Sequence, residues 1–597
     1  MRHLEEKVIS SRNRNGLYSY INRKLHTPSS IPPLKKDGAI IIDANHKANL
    51  FNDCFTDVFI KDNNVTPSLL NSTNSNPISQ MPDIFITPTD IRKAISNLKN
   101  HASRTPEDIP AIFVKNTAEH LIYPLTILFN HSLKLGKVPH HWKEAIIIPI
   151  HKKGSKNNPL NYRPISLTSI FCRILERIIH TKVMTHISCY DLLSHTQHGF
   201  VAKRSTLSQH IELLDKLTDN YDKNTQIHMI YLDFSKAFDR VSHPKLLHVL
   251  SNFKLSIKLV EWIRDYLTGR KQRTIVENDK SEYKNISSGV PQGSVLGPLM
   301  FLMFIDDLLK TLSNNCSFTK IYAFADDVKL MSKKPTDIQK GLKIVEKWAE
   351  NWQLTIQPEK SEHIIFSRTH QHTQHIYTIN GNPIKRTNSV KDLGISITEN
   401  LDWNLYLQQI KSKSDRLTYT ILRTFKTHNL DTYKVAFKTY IRPILEYNTS
   451  AWTPYKKSDI IIVESIQRAY TKKVCQRLNL KFNNYLERLS IMGMKTLEYR
   501  RLEFDLILLY KIIHNLILLD LKGSISRSTS TYNLRRHSFH LDYNFTCNTQ
   551  IRRQFFHLKT ISVWNKLPEH LVSSQNLELF KIRLHNFNLR SVFKFYF

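Results

Sequence analysis

Cysteine is scarce in this chain of 597 residues, and it is not clustered. No CxxC pair occurs among the six cysteines, which are Cys54, Cys172, Cys189, Cys316, Cys475 and Cys547. Closely spaced pairs mark disulfide scaffolds and cysteine-based zinc modules. Their absence argues against both kinds of site and fits a reducing compartment.

Long uninterrupted apolar runs are also missing. The most apolar long stretch, residues 504–521, is broken by Asp505, Lys511, His514 and Asp520. A membrane-spanning helix needs about 20 consecutive, predominantly apolar residues. The stretch therefore predicts a helix packed in a core, and we expect neither a membrane span nor a signal peptide.

Acidic residues are the third shortage. The chain has 51 Asp and Glu against 85 Lys and Arg, which gives a net charge of +34. Such an excess indicates a polyanionic partner, because basic contacts with phosphates release condensed counterions. The alternative is a basic protein that is merely soluble or sticky. With 41% hydrophobic and 10% aromatic residues, the composition favours a folded protein over a disordered basic tail.

The order of polar and periodic segments divides the chain into four parts. We expect residues 1–83 to form a helical extension that ends in a polar linker. In residues 84–397, helical segments alternate with β-like runs. Helical patterns dominate in residues 398–475 and in a basic extension, residues 476–597. Together these patterns predict an α+β protein. The clearest β-like runs are 145–150, 227–233 and 321–325, and the clearest helical patterns are 405–425 and 430–444.

Two acidic sites give the strongest chemical signal. In residues 227–241 (IHMIYLDFSKAFDRV), a run rich in β-forming residues ends at Asp233. In residues 321–331 (IYAFADDVKLM), Asp326 and Asp327 lie between two β-like segments, which predicts a hairpin with both carboxylates at its turn. Carboxylates on two strands can face each other in a sheet and hold the hard cations that nucleotidyl transfer requires.

An Asp-Asp dipeptide alone is weak, and the chain contains a second one. Asp306 and Asp307 lie in residues 300–312 (MFLMFIDDLLKTL), whose spacing is helical. We interpret this pair as part of a helix surface and reject it as the metal site.

Glycines and basic residues complete the pattern. Residues 287–300 (SSGVPQGSVLGPLM) hold three of only 14 glycines, which suits a backbone approached closely by a ligand before a helix that begins near Ser294. A tight turn is the alternative. Upstream, residues 146–154 (IIIPIHKKG) and 161–168 (NYRPISLT) place Lys152, Lys153 and Arg163 beside β-like segments, where they could grip a triphosphate.

These segments, in this order, resemble the motifs of reverse transcriptases. YLDFSKAFDRV, SGVPQGSVLGP and FADD resemble motifs A, B and C, and NYRPISL resembles the nucleotide-gripping segment before them. Over roughly residues 12–586, the sequence is also similar to the polymerases of non-LTR retrotransposons of the jockey type. The similarity includes WKEAIIIP (142–149), QHGFVAKRST (197–206), VKDLGISI (390–397) and YIRPILEYNTSAW (440–452).

The resemblance implies an RNA-directed DNA polymerase with a right-hand fold: fingers and palm over 84–397, with an antiparallel palm sheet, and a helical thumb over 398–475. It implies an RNA template, a DNA primer, target DNA and deoxynucleoside triphosphates as partners, without a membrane. Two Mg²⁺ ions are the implied cofactors, with Mn²⁺ as the alternative metal. The expected location is the nucleus and the cytoplasm.

The same resemblance assigns roles to individual residues. Asp233, Asp326 and Asp327 match the catalytic, metal-binding carboxylates. Phe238 matches the aromatic beneath the sugar, with a core phenylalanine as the alternative. Lys152 and Arg163 match the residues that hold the triphosphate, with Lys153 as a competing assignment. Gln292 and Gly293 match the residues at the nascent base pair. Lys360 matches the motif D lysine, with an ordinary solvated side chain as the alternative.

Some features depart from the family. Complete elements carry an endonuclease before the polymerase, and this chain begins at what resembles the region after it, so target nicking is not expected. Residues 104–114 (RTPEDIPAIFV) lack the glycine that relatives have there. We find neither a terminal zinc knuckle nor an acidic set of the RNase H type. His363, His370, His372 and His375 cluster in a stretch read as a polar loop, and metal binding there is not favoured.

Two other functions remain open. The chain could be a nucleic-acid-binding remnant or domesticated protein without catalysis, but its three motif aspartates and phosphate-gripping basic residues are intact. A group II intron maturase would share the palm but would normally end differently.

Overall fold

The computed structural model describes residues 20, 31–69, 79–100, 105–369, 375–521, 525–527, 537–542 and 546–597. Residues 1–19 and 21–30 of the expected N-terminal helical extension, and residues 70–78 in the centre of the expected linker, lie outside the described residues. So do His370 and His372.

Helices and strands alternate up to residue 398. The helices are α1 (Ala44–Thr56), α2 (Pro88–Ser96), α3 (Ala111–Asn116), α4 (Ala118–Leu135), α5 (Ile170–Cys189), α6 (Thr206–Asp222), α7 (His243–Asn252), α8 (Ile257–Leu267), α9 (Leu296–Asn315) and α10 (Pro335–Trp352). The strands are β1 (Leu34–Lys36), β2 (Ala39–Ile41), β3 (Glu144–His151), β4 (Tyr162–Leu167), β5 (Ile227–Leu232), β6 (Lys271–Val276), β7 (Asp279–Lys280), β8 (Lys284–Asn285), β9 (Lys320–Phe324), β10 (Asp327–Ser332), β11 (Glu362–Phe366), β12 (Thr378–Ile379), β13 (Asn382–Pro383), β14 (Lys385–Arg386), β15 (Ser389–Asp392) and β16 (Ile395–Thr398).

The rest of the described chain is mainly helical. Its helices are α11 (Asn404–Thr424), α12 (Leu430–Ala436), α13 (Arg442–Glu446), α14 (Lys457–Arg477), α15 (Tyr485–Ile491), α16 (Leu497–Ile513), α17 (Gln550–Arg553), α18 (Phe556–Trp564), α19 (Glu569–Val572) and α20 (Leu577–Asn586). A π-helical turn, Phe437–Ile441, joins α12 to α13.

The mixture of helices and sheets is α+β, and the predicted β-like runs correspond to β3, β5 and β9. The pattern over 405–425 is confirmed as α11. The pattern over 430–444 is interrupted by the π-helical turn. The stretch 504–521 is helical only as far as Ile513, because Asn515 takes a positive φ of 53° and ends the helical path.

A five-stranded sheet in the order β14-β11-β5-β10-β9 forms the centre of the fold. All its pairs are antiparallel except β11 with β14. Five of the six residues of β5 are buried, since β5 is an inner strand with both faces covered. This is why its sequence is almost continuously apolar rather than alternating.

A second sheet, in the order β4-β3-β6-β7 with β8 also paired to β6, carries the basic segments. Strand β3 runs antiparallel to β4 and parallel to β6. The first residue after β3 is Lys152, and Arg163 lies within β4 opposite Ile150.

Buried apolar residues form three clusters. One joins helices α2–α5 and α7–α10 to β5, β9 and β10 of the central sheet. A second packs residues of β5 and β11 against α6, α11–α14, α16 and the C-terminal helices α17–α20. The third holds α1 against the second sheet. The C-terminal helices therefore share a core with the central sheet. None of the described helices is both long enough and apolar enough to cross a lipid bilayer.

Candidate active site

The first carboxylate, Asp233, follows directly on β5. Its N–H donates to Ser361 Oγ at 3.3 Å, and its carbonyl oxygen accepts from the Gln357 N–H at 2.9 Å. The end of the strand is thus held by the turn before β11. Neither Ser361, which acts through its side chain, nor Gln357, which acts through its backbone, was singled out by the sequence.

Asp326 and Asp327 lie at the tip of the β9–β10 hairpin, as predicted. Phe324 pairs with Asp327, so Ala325 and Asp326 form the turn, and Ala325 takes a positive φ of 54°. Gln197 Oε1 accepts from the Ala325 N–H at 2.9 Å and from the Gly199 N–H at 2.8 Å. A Cβ on Gly199 would lie 2.6 Å from the Ala325 nitrogen, so only glycine fits beside this turn.

The strand register brings the two acidic sites together. Val328 of β10 pairs with Leu232 of β5, and continuing this antiparallel register by one residue sets Asp327 opposite Asp233. Residues directly opposite each other point to the same face, with Cβ atoms about 4.5–5.5 Å apart. The three carboxylates therefore occupy one end of the sheet.

Like charge and burial oppose ionisation in this cluster. Burial raises the pKa of Asp326, and Asp233 raises it further, whereas Lys152 and Arg163 act in the opposite direction. Asp327 is exposed, yet the surrounding atoms displace much of its water. This desolvation and the repulsion from Asp326 raise the pKa of Asp327 to about 6. A bound cation would relieve both effects.

All-oxygen donors of this kind suit divalent cations such as Mg²⁺. The three carboxylates are not drawn tightly around a single point. Among the described residues, His140, His141 and Glu144 form the one group of three or more whose ligand atoms all lie within 4.8 Å of one another. The aspartates are thus spaced more widely than a cage for one ion.

Basic side chains from the second sheet reach the same region. The Lys152 N–H donates to the Asn161 carbonyl at 2.8 Å, which anchors the turn between β3 and β4. Burial lowers the pKa of Lys152, as do Arg163 and Lys153, while Asp233 raises it. Lys152 and Arg163 both influence Asp326, which favours Lys152 over Lys153 as the lysine that faces the aspartates.

The glycine-rich loop is bound to the segment that follows Asp233 and to β4. Gln292 Nε2 donates to Asp239 Oδ1 at 2.7 Å, and the Ser166 N–H donates to the Gln292 carbonyl at 2.8 Å. Gly293 has a φ of +133°, and a Cβ there would lie 2.3 Å from the Ser166 oxygen. Burial raises the pKa of Asp239 to about 6, against the hydrogen bond from Gln292.

The helix after this loop begins at Leu296, close to the predicted start. Glu176 Oε2 accepts from the Val295 N–H at 2.7 Å and from the Leu296 N–H at 3.1 Å. A buried carboxylate from α5 therefore caps α9. Sequence reasoning missed Glu176 and Asp239, because nothing in their local sequence marks contacts made across the fold.

The two remaining predicted residues differ in their surroundings. Phe238 is half-buried, and its ring stacks on Phe301 of α9 with centroids 4.2 Å apart. One side of the ring belongs to the core, and part of the residue is open to solvent. Lys360 is exposed, and its Nζ donates to Gln357 Oε1.

The interpretation of Asp306 and Asp307 as a helix surface was wrong. Both lie in helix α9, as the spacing indicated, but both are buried. Asp306 accepts from the Ser194 N–H at 2.7 Å and pairs with Lys310 at 2.7 Å. Asp307 accepts from Trp348 Nε1 at 2.9 Å. Because α9 is apolar on all sides, it is a central helix, and its acidic pair is satisfied internally.

The histidine group is also arranged differently from the polar loop that the sequence suggested. His363 lies in β11, buried between the rings of His228 and Tyr377, with centroids 5.8 and 4.5 Å away. His375 contacts Tyr377.

The fold brings the carboxylates, the basic side chains of the second sheet and the glycine-rich loop together, and the family comparison indicates the class of protein to which such an arrangement belongs. Residues 150–397 match the family model described as reverse transcriptase (RNA-dependent DNA polymerase). This segment is therefore similar to reverse transcriptase domains.

The curated proteins that the chain resembles include polymerases of insect transposable elements. The chain is 25% identical over 404 residues to the probable RNA-directed DNA polymerase from transposon X-element of Drosophila melanogaster, covering 66% of this chain and 44% of the relative. It is 27% identical over 365 residues to the RNA-directed DNA polymerase from mobile element jockey of the same species, covering 59% and 39%. The jockey polymerase of Drosophila funebris is 26% identical over 413 residues, covering 66% and 44%.

These matches confirm the resemblance to jockey-type reverse transcriptases. The chain spans less than half the length of the three curated relatives.

Proposed function

We propose that this chain is an RNA-directed DNA polymerase of a jockey-like non-LTR retrotransposon. It adds deoxynucleotides to a primer 3′-hydroxyl on an RNA template, and it acts in the nucleus and the cytoplasm. The observation that carries the proposal is the convergence of Asp233, Asp326 and Asp327 with Lys152 and Arg163 inside the segment that matches the reverse transcriptase family.

In this proposal residues 84–397 are the fingers and palm, with the central sheet as the palm. Residues 398–475 are the thumb, 476–597 are a basic C-terminal extension, and 1–83 are an N-terminal extension. Two divalent cations, Mg²⁺ or alternatively Mn²⁺, bind the three aspartates. When bound, they lower the pKa of the attacking hydroxyl and neutralise charge on the leaving pyrophosphate.

The protein's own side chains bind and orient the substrates. Lys152 and Arg163 grip the triphosphate of the incoming nucleotide, as cations suited to phosphate oxygens. Gln292, held by Asp239, and Gly293, held against β4, form a fixed floor beneath the nascent base pair. Lys360 is positioned by Gln357 as a proton donor to pyrophosphate.

A primer-extension assay tests this function. The full chain is incubated with an RNA template, an annealed DNA primer, deoxynucleotides and Mg²⁺, and the products are separated by size. The proposal requires products that lengthen to the template end and that disappear when the divalent cation is chelated. Tight primer–template binding without any extension would instead identify a nucleic-acid-binding remnant.

Phe238→Ala tests the sugar contact. A bulky ring against the sugar leaves no room for a 2′-hydroxyl, so truncation should weaken discrimination against ribonucleotides by about 1–3 kcal/mol. Deoxynucleotide incorporation should fall only modestly. Single-nucleotide addition with each sugar measures the effect.

A core variant provides the control for Phe238. Phe304→Ala, in α9 and fully buried, should lower the melting temperature without changing sugar preference. If Phe238→Ala behaves in the same way, with a loss of stability of about 3–5 kcal/mol and equal loss of both activities, Phe238 is an ordinary packing residue.

The net charge of +34 predicts steep salt dependence of RNA binding. Each phosphate contact contributes a slope of about −0.7 in log affinity against log salt for single strands. We expect a slope equivalent to several contacts in a filter-binding or anisotropy titration. A flat dependence would contradict a polyanionic partner.

A further inference from the structure

Lys329 is a buried cation on the strand that carries Asp327. It lies two residues beyond Asp327 in β10, so both side chains point to the same face of the central sheet. Its cross-strand neighbours are Tyr231 of β5 and Tyr322 of β9. Only 1% of the residue is exposed, which demands a partner for its charge.

Asp392, the last residue of β15, supplies that partner. Its Oδ1 lies 2.5 Å from Lys329 Nζ, and its Oδ2 accepts from the Tyr231 hydroxyl at 3.4 Å. Lys329 also donates to Gln209 Oε1 of α6 at 3.2 Å. Although burial opposes ionisation, Lys329 and His210 hold the pKa of Asp392 well below its usual range.

A second layer fixes Asp392 from the helical side. Asn448 Nδ2 donates to His210 Nδ1 at 3.0 Å, which leaves His210 Nε2 to donate to the Asp392 carbonyl at 3.2 Å. The neighbouring Tyr447 hydroxyl donates to the Leu393 carbonyl at 2.8 Å. The β15–β16 hairpin is therefore tied at its turn to α6, to β10 and to the segment after α13.

Burial of an ion pair is a poor source of net stability, because the desolvation of both charges offsets their attraction. The arrangement instead fixes the orientation of the β15–β16 hairpin on the sheet. Each oxygen of Asp392 has its own donor, so the hairpin can sit on the sheet in one orientation. The cross-strand pair Lys329–Tyr231, which contacts Asp392, lies two residues along β10 and β5 from Asp327 and Asp233.

We propose that Lys329 and Asp392 are positioning residues, whose ion pair locks the β15–β16 hairpin to β10 and so aligns Asp327 with the primer end. This inference rests on the proposed polymerase function. Neither residue contacts the reacting atoms; they act through β10 and through the hairpin.

Single-nucleotide addition by Asp392→Asn tests the positioning role, with active sites counted by the burst amplitude. We expect the rate at saturating Mg²⁺ and nucleotide to fall about 10–100-fold, the scale of small misplacements of reacting groups. The nucleotide KM should change little, and Asp392→Glu should recover part of the rate. Asp505→Asn is the matched control, since Asp505 of α16 is buried and pairs with Lys559 of α18 at 3.0 Å.

Two results would overturn the positioning role. One is an unchanged rate per active site in Asp392→Asn, with a fall in melting temperature like that of Asp505→Asn. The other is a purely electrostatic effect. In that case Asp392→Asn and Lys329→Met would shift the Mg²⁺ concentration at half-maximal rate in opposite directions, and both variants would reach the wild-type rate at saturating Mg²⁺.

Amide hydrogen exchange provides a readout that needs no activity. Asp392→Asn should speed exchange in both β10 and β15–β16, and Asp505→Asn in neither. Unaltered exchange in Asp392→Asn contradicts the locking of the hairpin. If the wild-type chain extends no primer, the proposed polymerase function fails, and the exchange data still decide whether the ion pair locks these elements.

Discussion

Asp233→Asn and Asp326→Asn should each lower RNA-templated primer extension by roughly 10³-fold or more. In the proposed site, each change removes the charge of an oxygen ligand of the cations, and such ligands contribute several kcal/mol to transition-state charge stabilisation. Binding of the primer–template should persist, because neither change alters the basic side chains that are proposed to contact phosphates. Single-turnover extension and an anisotropy titration measure the two properties separately.

The control is an aspartate on the surface, outside the site. Asp415 lies on α11, half exposed, and pairs with Lys411 at 2.9 Å. Asp415→Asn should retain extension close to that of the unmodified chain. If Asp326→Asn also retained it, the β9–β10 hairpin would not be the catalytic element.

The double change Asp306→Ala, Asp307→Ala should lower the stability of the fold and leave primer extension largely unchanged. It leaves the Ser194 N–H and the Trp348 Nε1–H without their acceptors inside the fold. Unpaired buried donors cost about 1–3 kcal/mol each, so we expect the free energy of unfolding to fall by about 2–6 kcal/mol. Extension per folded molecule should be largely retained.

Thermal melting together with active-site titration separates these effects. A double variant that melts normally but extends no primer would move the metal site to α9. The two acidic pairs of the chain are thus expected to differ in kind, one acting on the substrate and the other holding a helix in the core.

The inner strand and the acidic hairpin could be predicted from sequence because their signals are local. A continuous apolar run ending at Asp233 and two β-like runs around Asp326 and Asp327 correspond to β5 and the β9–β10 hairpin. Once the strands are known, the period of two residues decides which side chains share a face. The family resemblance then orders these pieces, and the family comparison confirms it.

Contacts between distant segments could not be predicted in this way. Gln197 supports the turn at Ala325, and Asp239 receives Gln292, but neither pairing follows from periodicity. Asp306 and Asp307 show the same limit: helical spacing was correct, while their burial depends on elements packed around α9 from elsewhere in the chain. Partners for buried polar groups are set by tertiary structure.

The sequence of the extension product tests the central claim most directly. The full chain is given a heteropolymeric RNA template with an annealed DNA primer, deoxynucleotides and Mg²⁺, and the product is sequenced beside that of Asp326→Asn. We expect DNA complementary to the RNA from the wild-type chain and only unextended primer from the variant. A wild-type chain that binds the same primer–template but leaves the primer unextended would contradict it.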